Sequence, residues 1–146
     1  MNFETAISLF EASEHTCMIF KDGETLRTFE DRGIKPLVIT LMNEPEILEG
    51  TTITDRIIGR AAALLCVEGK AQKVYGHIMS EGAKKVLEDA GIETAFETLV
   101  PIIRNRDNTD TCPVEKKVAY TEDSHEAYTI FSTFLREKMA EAEAQK

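Results

Sequence analysis

The sequence predicts an α/β protein, a three-layer α/β/α sandwich, and three observations carry that reading. Two β-like runs flank an Asp22-Gly23 turn near the beginning. Strand-like and helix-like segments then alternate, as they do where crossovers place helices on both faces of a largely parallel sheet. Among them the run from Arg56 to Val67 is apolar nearly all round, as expected of a helix buried on most sides.

Each element has a local reason. Asn2 to Ser13 sets Phe3, Ala6, Ile7 and Phe10 on one side at helical spacing, an amphipathic helix suited to covering a sheet. Thr16 to Phe20 and Glu24 to Phe29 are the strands of a hairpin joined through Lys21, Asp22 and Gly23, since Asp-Gly between β-like runs is a strong turn signal. After Gly33, the residues Ile34, Leu37, Val38, Leu41 and Met42 recur at three- and four-residue intervals, with Pro36 in the first turn and Asn43 and Pro45 at the end. That describes a short helix. Thr51 to Thr54 reads as a short buried strand, and Asp55 stands where the N-cap of the Arg56–Val67 helix belongs. Gly69 closes that helix and Lys73 to Met79 is strand-like. Ser80 then caps a helix whose buried face is Ala83, Val86, Leu87 and Ala90, with Gly91 as its stop. Ile92 to Phe96 and Leu99 to Ile103 are two short β pieces. A polar, turn-prone run follows from Arg104 to Glu115, in which Pro113 suits a first helical position, with Cys112 at the N-cap and Glu115 at capping-box spacing. Over residues 124–142 Ala127, Tyr128, Phe131, Leu135 and Met139 form the stripe of a last helix, whose Ala/Glu/Lys tail is expected to fray.

No repeat or low-complexity linker divides the 146 residues, so residues 1–146 are read as one domain with the last helix packed on it. Acidic side chains outnumber basic ones 26 to 17, a formal charge of −9, and that field disfavours nucleic acid and anionic membranes as partners. A local arginine cluster can still hold a small anion, because distant charges are screened beyond about 8–10 Å. Three widely spaced cysteines, Cys17, Cys66 and Cys112, without a C-x-x-C pair, suit a reducing cytoplasm. Met1-Asn2-Phe3-Glu4 offers no basic leader, and no apolar run reaches the roughly 18 residues of a membrane span.

The run Asp55-Arg-Ile-Ile-Gly-Arg-Ala-Ala-Ala-Leu-Leu, with Val74-Tyr75, Met79-Ser80-Glu81, Asn105-Arg106 and Cys112-Pro113-Val114-Glu115, resembles a small prokaryotic family of unknown function in the cytidine deaminase-like superfamily. The resemblance spans about Thr16 to Glu115. It implies a mixed five-stranded sheet, beginning with the hairpin, with helices on both faces. It does not imply deamination. A zinc deaminase would open one helix with His-Ala-Glu or Cys-Ala-Glu and the next with Pro-Cys-x-x-Cys, and neither motif is present.

What such a fold retains is a set of helix beginnings around a pocket, whose amides favour an anionic or carbonyl-bearing ligand. Arg104, Asn105 and Arg106 offer forked and amide donors for phosphate or carboxylate, or form a solvated turn pairing with surface acids. Arg56 and Ser80 sit at the helix starts and are secondary ligand candidates. If there is catalysis, Cys112 is the candidate nucleophile, and Asp55 with Glu115 the acid and base. Otherwise Cys112 is a packing thiol and Asp55 a cap. His15, His77 and His125 are too scattered for a metal site, and the glycines give neither a dinucleotide fingerprint nor a Walker loop. The expectation is therefore no metal and no cofactor, with a small polar or anionic ligand, nucleotide-like compounds among the candidates. A metal-independent enzyme and a structural or homo-oligomeric role stand as alternatives.

Overall fold

The computed structural model describes residues 2–104 and 112–144. Helix α1 (Phe3–Ala12) precedes the hairpin β1 (Cys17–Lys21) and β2 (Glu24–Phe29), followed by α2 (Lys35–Asn43), β3 (Thr52–Ile58), α3 (Arg60–Glu68), β4 (Lys73–Ser80), α4 (Glu81–Asp89), β5 (Glu93–Val100), α5 (Pro113–Lys117) and α6 (Ser124–Ala144). Asp22 and Gly23 have φ of 52° and 82°, the pair of left-handed residues that a type I′ hairpin turn needs.

The sheet order is β2-β1-β3-β4-β5. Strand β1 runs antiparallel to both β2 and β3, whereas β3, β4 and β5 are parallel to one another. The result is a mixed five-stranded sheet that begins with the hairpin and carries helices on both faces, the three-layer α/β/α sandwich expected. Two crossovers of the same hand carry α3 and α4 to one face, where α2 joins them and α6 packs across α2 and α3. That side holds the larger core, in which Ile19, Leu37, Ile53, Leu64, Leu65 and Phe131 are buried. On the opposite face Ala6 and Phe10 of α1 meet Met18, Phe20 and Tyr75 of the sheet.

The local reading changes at four points. Asp55 is not a helix cap. Strand β3 runs through it to Ile58, with Asp55 between Cys17 of β1 and Gly76 of β4, and α3 begins one turn later behind Gly59. The β-branched residues Thr52, Ile53, Thr54, Ile57 and Ile58 continue across the aspartate, and pairing on both edges outweighs its poor strand propensity. The two β pieces after Gly91 are one strand, because β4 offers an unbroken parallel edge from Lys73 opposite Glu93 to Ser80 opposite Val100. Ala90 is exposed. The stripe of α6 is buried at Ala127 and Phe131 and partly at Leu135, but Met139 is 57% exposed.

Arg56 points into the α1 layer. Its guanidinium donates to the carbonyls of Ser13 (2.7 Å), His15 (3.0 Å) and Phe10 (3.1 Å), lies 4.0 Å above the Phe10 ring and is 3.5 Å from a Glu11 oxygen. The side chain thus ties together the carbonyls where the chain leaves α1. Arg56→Ala should lower the unfolding free energy by about 2–3 kcal/mol, since charge-assisted bonds to half-buried carbonyls are lost. Arg56→Lys, a point donor in place of a fork, should recover less than half of that in urea unfolding. Hydrogen exchange in α1 should speed up in both variants, and unchanged α1 exchange would show that the helix is held by packing alone.

Candidate functional site

The carboxyl ends of β3 and β4 deliver the starts of α3 and α4. Gly59, the N-cap of α3, has extended φ and ψ of −94° and −177° and supplies no capping side chain. The acceptor comes instead from α5: Ala61 N–H donates to Glu115 Oε2 at 2.9 Å. A Cβ at position 59 would fall inside the Glu115 carboxylate and press on Ile103 at 2.9 Å. Glycine is favoured here by the close approach of these side chains, not by its own dihedral angles. Glu115 therefore has another partner than capping-box spacing suggests, the start of α3 and not that of its own helix.

Arg60 closes the arrangement from the other side. Its Nε donates to the Val118 carbonyl at 3.2 Å and a terminal nitrogen to the Thr121 carbonyl. Cys112 N–H donates to the Ile103 carbonyl at 2.9 Å, so the backbone is cinched on both sides of residues 105–111. Ser80 caps α4, accepting from Ala83 N–H at 3.1 Å, and Arg60 and Gly82 bring the starts of α3 and α4 side by side. Burial lifts the Glu115 carboxyl above the usual range, against the amides of Ala61 and Arg60 and the Arg60 guanidinium, which favour the charged form.

Of the residues singled out in the sequence, Glu115 is thus brought to the α3 start, with Cys112 half-buried at the first turn of α5 and Arg104 exposed beside Ile103. Ser80 is buried as the α4 cap. Arg56 is committed to α1. Asn105 and Arg106 lie outside the described residues. Asp55 is set apart from Glu115: it lies 7% exposed in the sheet opposite Cys17, with Cys66 of α3 near enough to feel its charge. Burial pushes its carboxyl up to about 7, while the amides of Ile57 and Arg56 and the Cys17 thiol favour the ionised form. Both thiols are raised well above the ordinary range, by burial first and then by the Asp55 charge. They are poor nucleophiles for that reason.

The family model for TM1506, a domain of unknown function (DUF1893), matches residues 5–135. The chain belongs to the DUF1893 family. A crystal structure of a DUF1893 family protein, TM1506 from Thermotoga maritima, is similar over 89% of this chain and 87% of that one, with 24% identity and a TM-score of 0.80. The apo dCMP deaminase from the cyanophage S-TIM5 is similar over 66% of this chain and 99% of that one, with 13% identity and a TM-score of 0.50. At these identities the likeness is one of fold. No curated protein matches the chain.

A deaminase-like fold implies zinc at its helix starts, and the residues of this DUF1893 chain do not fit it. Ile34, Lys35 and Pro36 open α2, and Gly59, Arg60 and Ala61 open α3, with neither thiol nor imidazole. Among the described residues no three His, Cys, Asp or Glu side chains are grouped to hold a metal ion. Likewise, among the described residues no helix is long and apolar enough to cross a membrane.

The contacts absent from the sequence reading are Gly59 with Glu115, the Arg60 clamp, and the Cys17-Asp55-Cys66 group. Only the last left a signal, the β-branched run continuing past Asp55. Glu115→Ala should cost about 1 kcal/mol, as loss of a helix cap does. Gly59→Ala should cost about 1–3 kcal/mol by overpacking, and the double variant should be less destabilised than the sum, by about 1 kcal/mol of coupling in a urea-unfolding cycle. Asp55 makes a separate prediction. Between its unfolded pKa near 4 and its folded value of about 7, the unfolded chain has released a proton that the folded chain keeps, so rising pH favours unfolding across that window. Stability of the native chain relative to Asp55→Asn should accordingly fall by a few kcal/mol from about pH 4 to 7 and then level off. A constant difference between the two across that range would show that Asp55 does not titrate there.

Proposed function

We propose that this chain is a metal-independent binding module that takes the anionic group of a small polar ligand at the start of α3, the position held by the Glu115 carboxylate. Nucleotides and phosphosugars are the leading ligand classes. The observation that carries the reading is the 2.9 Å bond from Ala61 N–H to Glu115. A helix without a side-chain cap of its own accepts a negative group from a segment 54 residues away, so the amides and dipole already stabilise an anion there. Burial makes the charge on Glu115 costly, which leaves that carboxylate replaceable by a stronger anion. Arg104, exposed next to Ile103, would contribute a forked donor. Cys112 neighbours this position through α5. Its backbone is engaged on both sides, by Ile103 and by Lys116 N–H, and binding needs no reaction at its thiol.

A thermal-shift panel of nucleotides, phosphosugars and carboxylates tests this on the native chain and on Glu115→Gln. A ligand at about 100 times its dissociation constant adds about 2.7 kcal/mol, or roughly 5–10 °C for a chain of this size. At least one phosphorylated or carboxylated compound should produce such a shift, with a tighter apparent affinity in Glu115→Gln because the competing carboxylate is gone. A panel that moves neither protein would remove the proposal.

A further inference from the structure

The other side of α5 faces a different hollow. Ile34 and Val38 of α2, Val114 of α5, and Phe131, Phe134 and Leu135 of α6 wall a space of about 110 Å³. Hydrocarbon lines it almost throughout. Its mouth is basic: Lys35 and Lys117 stand at the rim, and the ammonium groups of Lys117 and Lys138 lie 4.4 and 5.4 Å from the Phe134 ring centre. Among the described residues none of these three lysines has a carboxylate within ion-pair distance, although the chain carries nine more acidic than basic side chains. The adjoining helix start adds to the positive character, because α2 has Ile34 at its N-cap and no side-chain cap.

We propose that this hollow is a second binding site, distinct from the α3 start, for a small monocarboxylate bearing one aromatic ring or one branched hydrocarbon group. Volume sets the size of the apolar part. An apolar cavity of about 150 Å³ takes a benzene ring and stays dry without one, and this hollow, open at Phe134, which is 39% exposed, admits a group of that order. Charge sets the head group. A carboxylate at the rim meets Lys35 and Lys117, whereas an ammonium head is repelled by three like charges and a neutral one gains nothing from them. Burial of the ring supplies the affinity and the lysines the choice of head group, the division of labour typical of small-molecule sites.

Amide NMR titrations of the full chain with phenylacetate, acetate and benzylamine at low salt test the proposal. Phenylacetate should bind saturably below about 10 mM, shifting residues of α2, α5 and α6, with acetate and benzylamine at least about tenfold weaker. Val114→Phe fills the hollow and should abolish phenylacetate binding. Should that variant fold poorly, the surface pair Lys35→Glu with Lys117→Glu leaves the walls intact and should reverse the preference toward benzylamine. Inorganic phosphate, an anion for the α3 start without an apolar group, should not displace phenylacetate, which separates this site from the one at α3. Absence of saturable phenylacetate binding, equal binding of benzylamine, or insensitivity to the lysine reversal would each overturn it. So would concentration-dependent self-association that competes with phenylacetate, since the hollow would then belong to an interface between copies of the chain.

Discussion

Two neighbouring charged residues on the central strand constrain everything packed around it. A strand sends successive side chains to opposite faces, so Asp55 and Arg56 enter opposite layers of the sandwich and each must be compensated there. Arg56 finds the carbonyls at the end of α1, the Phe10 face and Glu11. In doing so it fixes the only described helix on that side of the sheet. Asp55 finds backbone amides, a thiol and the more distant charge of Arg56 across the sheet, and pays for burial by holding its proton to about neutral pH. The Glu11 carboxylate that meets Arg56 also lies 3.0 Å from His77 Nδ1, and with burial it helps raise the Tyr75 hydroxyl to about 12. Polar groups on the α1 face are thus tied into one network through Glu11 and Arg56.

The end of the molecule that carries the candidate site is governed by space more than by charge. Helix α3 is built of small residues, Ala61, Ala62 and Ala63 behind Gly59, and these let it lie deep between the sheet and α6. A helix buried so closely cannot carry a bulky cap of its own, and its first amides must be satisfied by a group that reaches in from elsewhere. Glu115 is that group, and Arg60, leaving the same turn in the opposite direction, ties down the chain after α5. The likeness to the cyanophage dCMP deaminase is informative at this point because it concerns backbone placement. The helix starts converge as the fold requires, and the side chains placed there are amide-capping and carbonyl-binding groups.

Much of the fold was legible because its signals are local. Asp22-Gly23 can adopt the paired positive φ of a hairpin turn, Pro36 is tolerated only near a helix start, and Ser80 caps the helix that follows it. The misreading at Asp55 has a clear cause: aspartate is among the preferred residues at a helix start, and nothing local reveals that both strand edges are already paired. The break placed inside β5 has the same origin, since Glu97 weakens the strand pattern while β4 supplies the pairing that overrides it. For the site, the sequence located Cys112, Glu115 and Arg104 near one helix start but assigned Glu115 to the wrong one. Spacing within a segment cannot disclose a hydrogen bond formed 54 residues away.

Helix α5 shows most clearly why local reading stops short. Its five residues are far below the roughly 12–15 needed for an isolated helix to persist in water, so its conformation and position come from outside. The carboxylate of Glu115 anchors one side to α3, Val114 and Lys117 turn toward α2 and α6, and Cys112 N–H ties its beginning to Ile103. A segment fixed only by such contacts has no preferred place in their absence. The chemistry at both of its faces is therefore set by how exactly three longer helices converge, and it is the sheet, through the ends of β3 and β4, that makes them do so.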